Sequence, residues 1–121
     1  MPHLTLEYSA NLGGLDALSA LARLNQAMLD SGLFDEADIK SRAQELNLFK
    51  IGLSPELRAF AHVRCTLLAG RSDAQRKALA DRLLQALRAA VDGFFPGEIQ
   101  LSVETIEIDR PSYAKEVIHA P

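Results

Sequence analysis

The hydrophobic period of this chain switches from two residues to about 3.6 and back, and it makes that cycle twice. Residues 3 to 8, HLTLEY, set Leu4, Leu6 and Tyr8 against His3, Thr5 and Glu7, the alternation of a half-buried strand. After the turn from Asn11 to Gly14, Leu15, Leu18, Leu21, Ala22, Leu24, Met28 and Leu29 recur at helical spacing until Gly32, which suits a C-cap. Residues 39 to 51 return to an extended pattern. Gly52 to Glu56 reads as a connection, and residues 60 to 68 alternate Ala61, Val63, Cys65 and Leu67 against His62, Arg64 and Thr66. Ser72 and Gln75 fit a capping box. Behind them Ala78, Leu79, Leu83, Leu87, Ala90, Val91 and Phe94 form a helical stripe that stops near Gly93 and Pro96. Ile99, Leu101 and Val103 then alternate with polar neighbours, and the apolar phase moves to Ile106 and Ile108, which predicts a bulge or bend near Thr105.

The order is β-α-β-β-α-β, an α+β chain. With right-handed crossovers it predicts a four-stranded mixed sheet carrying both helices on one face. At 121 residues and 48% hydrophobic composition, the chain has apolar material for one ordinary core. We read residues 2–121 as a single domain of two β-α-β units, about 2–51 and 58–109, plus a C-terminal tail. An apolar opposite sheet face would need covering, and a symmetric oligomer is the expected cover.

Thirteen basic and sixteen acidic residues leave a net charge of -3, which supplies no electrostatic argument for nucleic acid or an anionic membrane. The lone Cys65 allows no internal disulfide, and no early apolar stretch is long enough for a secretory signal or a span. A cytoplasmic protein is expected.

Pro2 follows Met1 directly, so removal of the methionine converts an amide nitrogen into a secondary amine with a basic lone pair on a rigid ring. Such an amine can accept and return a proton, provided a pocket holds the substrate and countercharges meet the developing anion. Taken alone, Met-Pro is an ordinary start.

The opening PHLTLEYSANL, the segment SGLFDEADIKSR at residues 31 to 42 and LLAGRS at residues 67 to 72 together resemble the 5-carboxymethyl-2-hydroxymuconate delta-isomerase family of the tautomerase superfamily. The resemblance implies two β-α-β units per chain, a homotrimer, no metal and no cofactor, and an N-terminal proline that shuttles a proton. It implies that Pro2 moves a double bond in a dienol carboxylate. Arg71 matches a family arginine that binds substrate carboxylate, and its planar fork beside the helix start at Ser72 suits an anion. A second family arginine falls on Lys40, where the charge is kept and the fork is lost. Arg42 matches another arginine two residues on. On an extended segment positions 40 and 42 share a face, so both cations are expected at one pocket, holding a second carboxylate or the 2-keto oxygen.

Other candidates carry less. His3, His62 and His119 lie far apart and Cys65 has no partner motif, so no metal site is expected. Glu7 reads as a strand carboxylate, and Phe49, Phe60, Phe94 and Phe95 as core or pocket wall. The tail from Arg110 turns apolar at Val117 and Ile118 and suits docking on a neighbouring subunit. Two readings follow: a cofactor-independent isomerase, or a noncatalytic oligomer of the same fold that binds an acidic metabolite or a protein partner.

Overall fold

The computed structural model describes residues 1–91 and 93–121. Its elements are β1 (Pro2–Ser9), α1 (Ala17–Asp30), β2 (Lys40–Leu46), β3 (Arg58–Leu68), α2 (Asp73–Val91) and β4 (Glu98–Ile108), with single 3-10 turns at Glu36–Asp38 and Arg110–Ser112. The strand order in space is β2-β1-β3-β4. Each half contributes one parallel pair, β1 with β2 and β3 with β4, and the halves join through the antiparallel pair of β1 and β3.

Alternation decides which side chains are buried. Pro2, Leu4 and Leu6 of β1 and Ala61, Val63, Cys65 and Leu67 of β3 point to one face and are all but inaccessible to solvent. Against them pack Ala20, Leu24 and Met28 of α1 and Leu79, Leu83, Leu87 and Val91 of α2, so both helices cover the same face. Leu18 and Leu29, counted in the apolar stripe of α1, are instead exposed, and Phe94 lies beyond the end of α2 with its ring partly in solvent.

Each helix starts and stops on local chemistry. Asp16 caps α1 by accepting from the Ser19 amide at 3.1 Å, and Gly32 follows the last turn with φ of +75°, a conformation open to glycine. The capping box of α2 is formed: the Gln75 amide donates to Ser72 Oγ at 3.1 Å while the Ser72 amide donates to Gln75 Oε1 at 2.9 Å.

Two expectations are corrected. The register of β4 on β3 runs without an inserted residue from Arg58↔Glu98 to Leu68↔Ile108, so there is no bulge at Thr105. The apolar phase shifts because Ile106 and Ile108 belong to the face away from the helices, while Thr105 stays on the helix side opposite Cys65. That second face is also mixed rather than uniformly apolar. By register it carries the rows Lys40, His3, Thr66 and Ile106, then Arg42, Thr5, Arg64 and Glu104, then Gln44, Glu7, His62 and Ser102, with Leu68 and Ile108 at its end.

Candidate active site

The N-terminal end of β1, the first residue of β2 and the last residues of β3 and β4 meet at one end of the sheet, because Pro2 pairs with Leu67, His3 with Lys40 and Leu68 with Ile108. A polar cleft of about 240 Å³ opens there, lined by Met1, Phe34, Asp35, Asp38 and Arg71 together with Gly32 and Leu33. A larger hollow of about 430 Å³ between α2 and β4 is lined by apolar side chains and, among the described residues, by one charged group, Arg88. Among its described residues nothing is suited to moving a proton near neutral pH, and the smaller cleft, which the amino terminus and Arg71 line, is the candidate site.

Arg71 owes its place to the turn before it. Gly70 has φ of +129°, where a side chain would strain the backbone, and the Arg110 guanidinium lies 3.5 Å from the position a Cβ would take. The turn is clamped further by Arg110 Nε donating to the Ala69 carbonyl and by the Ala69 amide donating to Ile108 at 3.1 Å. Arg71 then donates through Nη2 to the Leu33 carbonyl at 2.8 Å and through Nη1 to the Leu68 carbonyl at 3.3 Å. Its guanidinium lies 4.9 Å from the centre of the buried Phe34 ring. Two carbonyls and a ring fix the plane of the fork, and a guanidinium with five N–H donors retains others for an anion.

Pro2 is buried at the head of β1. With Met1 in place the free amine is that of Met1, which lies 3.4 Å from Asp38 Oδ2. Burial lowers the proton affinity of this amine below its usual 8.0; Asp38 opposes that change, and Lys115 and Lys40 add to it. Lys40 Nζ donates to the Asp38 carbonyl. Arg42, two residues along the same face, donates through Nη2 to His3 Nδ1 at 2.9 Å. His3 is held below its ordinary value by burial first and then by the charges of Arg42 and Lys40.

The structure thus brings the amino terminus and Arg71 to one cleft, whereas Lys40 and Arg42 lie outside its wall, contrary to the expectation that both point into it. The alternation that puts them on one face also turns them to the side of the sheet away from the helices, where Pro2 does not point. Phe34, Asp38 and Lys115 escaped the sequence reading. Phe34 stood within the SGLF segment, but nothing in composition marks a residue that meets its partner only through a 77-residue separation, as Lys115 does with Asp38 at 2.8 Å. The tail accordingly folds back on its own chain as far as Lys115, while Val117 and Ile118 remain exposed.

This β-α-β-β-α-β architecture is that of tautomerase-superfamily isomerases. The fused 4-OT wild-type symmetric trimer shares it with a TM-score of 0.73 over 93% of this chain and 90% of that one, at 22% identity. The chain belongs to the 5-carboxymethyl-2-hydroxymuconate isomerase family, whose model matches residues 2–121. A crystal structure of a 5-carboxymethyl-2-hydroxymuconate isomerase from Deinococcus radiodurans R1 is 32% identical, with a TM-score of 0.86 over 95% of this chain and 88% of that one. A 5-carboxymethyl-2-hydroxymuconate delta-isomerase structure is 22% identical, with a TM-score of 0.76 over 97% and 88%. No curated protein matches the chain. Among the described residues no helix is long and apolar enough to cross a membrane.

Proposed function

We propose that this isomerase works without a cofactor and uses the nitrogen of Pro2, freed by removal of Met1, as general base and acid on a 2-hydroxymuconate-like dienol carboxylate, 5-carboxymethyl-2-hydroxymuconate or a relative from aromatic ring cleavage. The observation that carries the reading is that Met1, directly before Pro2, lines the same cleft as Arg71, and burial lowers the proton affinity of the Met1 amine there. A neutral amine there takes the proton of the 2-hydroxy group. Arg71 holds a carboxylate in its fork, and the conjugate acid of Pro2 returns the proton to the distal carbon, which moves the double bond.

Lys40 and Arg42 take the second carboxylate or the 2-keto oxygen. Because both face away from the cleft within one chain, this role belongs to an assembly in which the polar sheet face of one copy adjoins the cleft of another. A homotrimer is the assembly we propose, supported by the symmetric trimer among the relatives of this fold. We place the protein in the cytoplasm, as one domain over residues 2–121.

The test follows the ultraviolet absorbance of 2-hydroxymuconate-type dienols with protein whose intact mass shows Met1 removed. Conversion well above the buffer rate is expected, and Pro2→Ala should reduce it at least a hundredfold, the lower range for loss of a general acid–base group. Full turnover in a folded Pro2→Ala protein would sink the proline mechanism. Carboxylate binding with no turnover by the trimmed parent would favour the noncatalytic reading.

A further inference from the structure

The turn that carries Arg71 to the cleft has little main-chain support of its own. The Ala69 amide extends the pairing of β3 with β4 by one bond, to the Ile108 carbonyl at 3.1 Å, and helical bonding resumes with the Arg76 amide on the Ser72 carbonyl at 3.0 Å. Between these, among the described residues, Gly70 and Arg71 make no hydrogen bond to another main-chain group. Gly70, at φ of +129°, is also the residue type with the widest backbone freedom, so this link is the one that would let Arg71 swing.

Arg110 closes that link from outside. Its Nε donates to the Ala69 carbonyl, and its guanidinium covers the open side of Gly70, with Nη2 3.5 Å, Nε 3.7 Å and Cζ 4.0 Å from the position a Cβ would take. Arg110 is itself well placed. It lies two residues beyond Ile108, which pairs in register with Leu68, and it opens the 3-10 turn Arg110–Ser112. That turn is tied by the Tyr113 amide on the Arg110 carbonyl at 3.2 Å and by Ser112 Oγ on Asp109 Oδ2 at 2.8 Å. We propose that Arg110 is a positioning residue for Arg71: by fixing Ala69 and Gly70 it holds the Arg71 fork in the orientation that presents its spare donors to the cleft. The inference rests on the reading of Arg71 as the carboxylate anchor for its catalytic consequence, though not for its geometry.

The two arginines divide the work. The Leu33 and Leu68 carbonyls and the Phe34 ring hold the tip of Arg71, and Arg110 holds the backbone next to its root. A guanidinium suits the place because its Nε reaches the carbonyl while the rest of its flat face lies on an α-carbon that has no side chain. Without the clamp the productive orientation of Arg71 becomes one of several, and the apparent affinity for a carboxylate falls by the fraction that stays competent. A carboxylate remote from the moving proton is bound alike in ground and transition states. KM should therefore rise while kcat holds, a split that general loosening of the fold would not produce.

The experiment is a calorimetric titration of the full-length parent, Arg110→Gln, Arg71→Ala and the double variant with trans,trans-muconate, a dienedioate that lacks the 2-hydroxy group and so is not turned over. Arg110→Gln is expected to weaken binding about tenfold, and the double variant to bind no more weakly than Arg71→Ala, because the clamp acts only through the fork. On a 2-hydroxymuconate-type dienol, Arg110→Gln should raise KM by the same factor and leave kcat within about twofold. Unchanged affinity in Arg110→Gln, or an equal loss when Arg71 is already alanine, overturns the proposal. Arg110 is exposed, so its variant leaves the core intact; Gly70→Ala attacks the clamp from the other side and should give the same loss. The geometry has a readout of its own in NMR of the ¹⁵N-labelled Arg71 guanidinium, whose rotation should be slow in the parent and fast in Arg110→Gln. Rotation that is the same in both overturns the proposal. Rotation freed as expected, in a protein whose muconate affinity ignores Arg71→Ala, would refute the carboxylate anchor and leave the clamp standing.

Discussion

At the scale of single residues, Arg71 and Cys65 make the contrast between a group kept available and a group put away. Arg71 is fixed by Leu33, Leu68 and Phe34 but keeps donors at the cleft. Arg71→Lys keeps the charge and loses the fork, so steady-state kinetics on a dienol dicarboxylate should show KM raised about tenfold, the size of one charge-assisted hydrogen bond. Cys65 is sealed beneath the helices, and burial pushes its thiol up from 9.0 to about 11 despite the opposing charge of Arg71. A raised thiol means that, between those values, the unfolded chain has lost a proton that the folded chain keeps. Stability therefore falls as pH rises from 9 to about 11, by about 2–3 kcal/mol in total. Urea unfolding across that range should show the decline in the parent, and Cys65→Ala should lack this component of it.

Among the elements, α2 ties fold to site because its first turn follows directly on Arg71. Ser72→Ala removes the hydroxyl that accepts from the Gln75 amide, and chemical denaturation should find a loss of about 1 kcal/mol. Leu83 in the same helix is fully buried on the sheet, so Leu83→Ala should cost about 2–5 kcal/mol by the same measurement, through lost transfer energy and the cavity left behind. These elements were legible because each is specified locally: a capping box, a stripe of leucines and a glycine at positive φ lie within a few residues of the structure they encode. The end of β4 was misread for an equally local reason. A shift of apolar phase has the same one-dimensional signature whether a residue is inserted or the two faces merely change surroundings, and only the unbroken pairing with β3 separates the two.

For the molecule as a whole, the sheet leaves one face uncovered within a single chain, and that face mixes the polar His62, Arg64, Glu104 and Arg42 with the aliphatic Leu68, Ile106 and Ile108. His62 is held between Ser102 Oγ at 2.7 Å and Glu104, and Arg64 approaches the same carboxylate at 3.8 Å. Sedimentation equilibrium should give three times the 13.2 kDa chain mass. A monomer that still turned over substrate would separate the isomerase from the trimer and deprive Lys40 and Arg42 of their proposed roles.

By itself the sequence determined the order of the elements, the helix-facing residues of β1 and β3, the capping box of α2 and the glycine that ends α1. All of these follow from period, propensity or a short contiguous motif, while Pro2 and Arg71 as a candidate pair come from the family resemblance. Tertiary structure alone decided that Lys40 and Arg42 face away from the cleft, that Phe34 lies under Arg71, and that Asp38 meets both chain ends. Those relations depend on strand order, on which side of the sheet the helices cross, and on a tail folded back over a 77-residue separation. No local pattern encodes such pairings, because each is created only when distant segments are brought to the same end of one sheet.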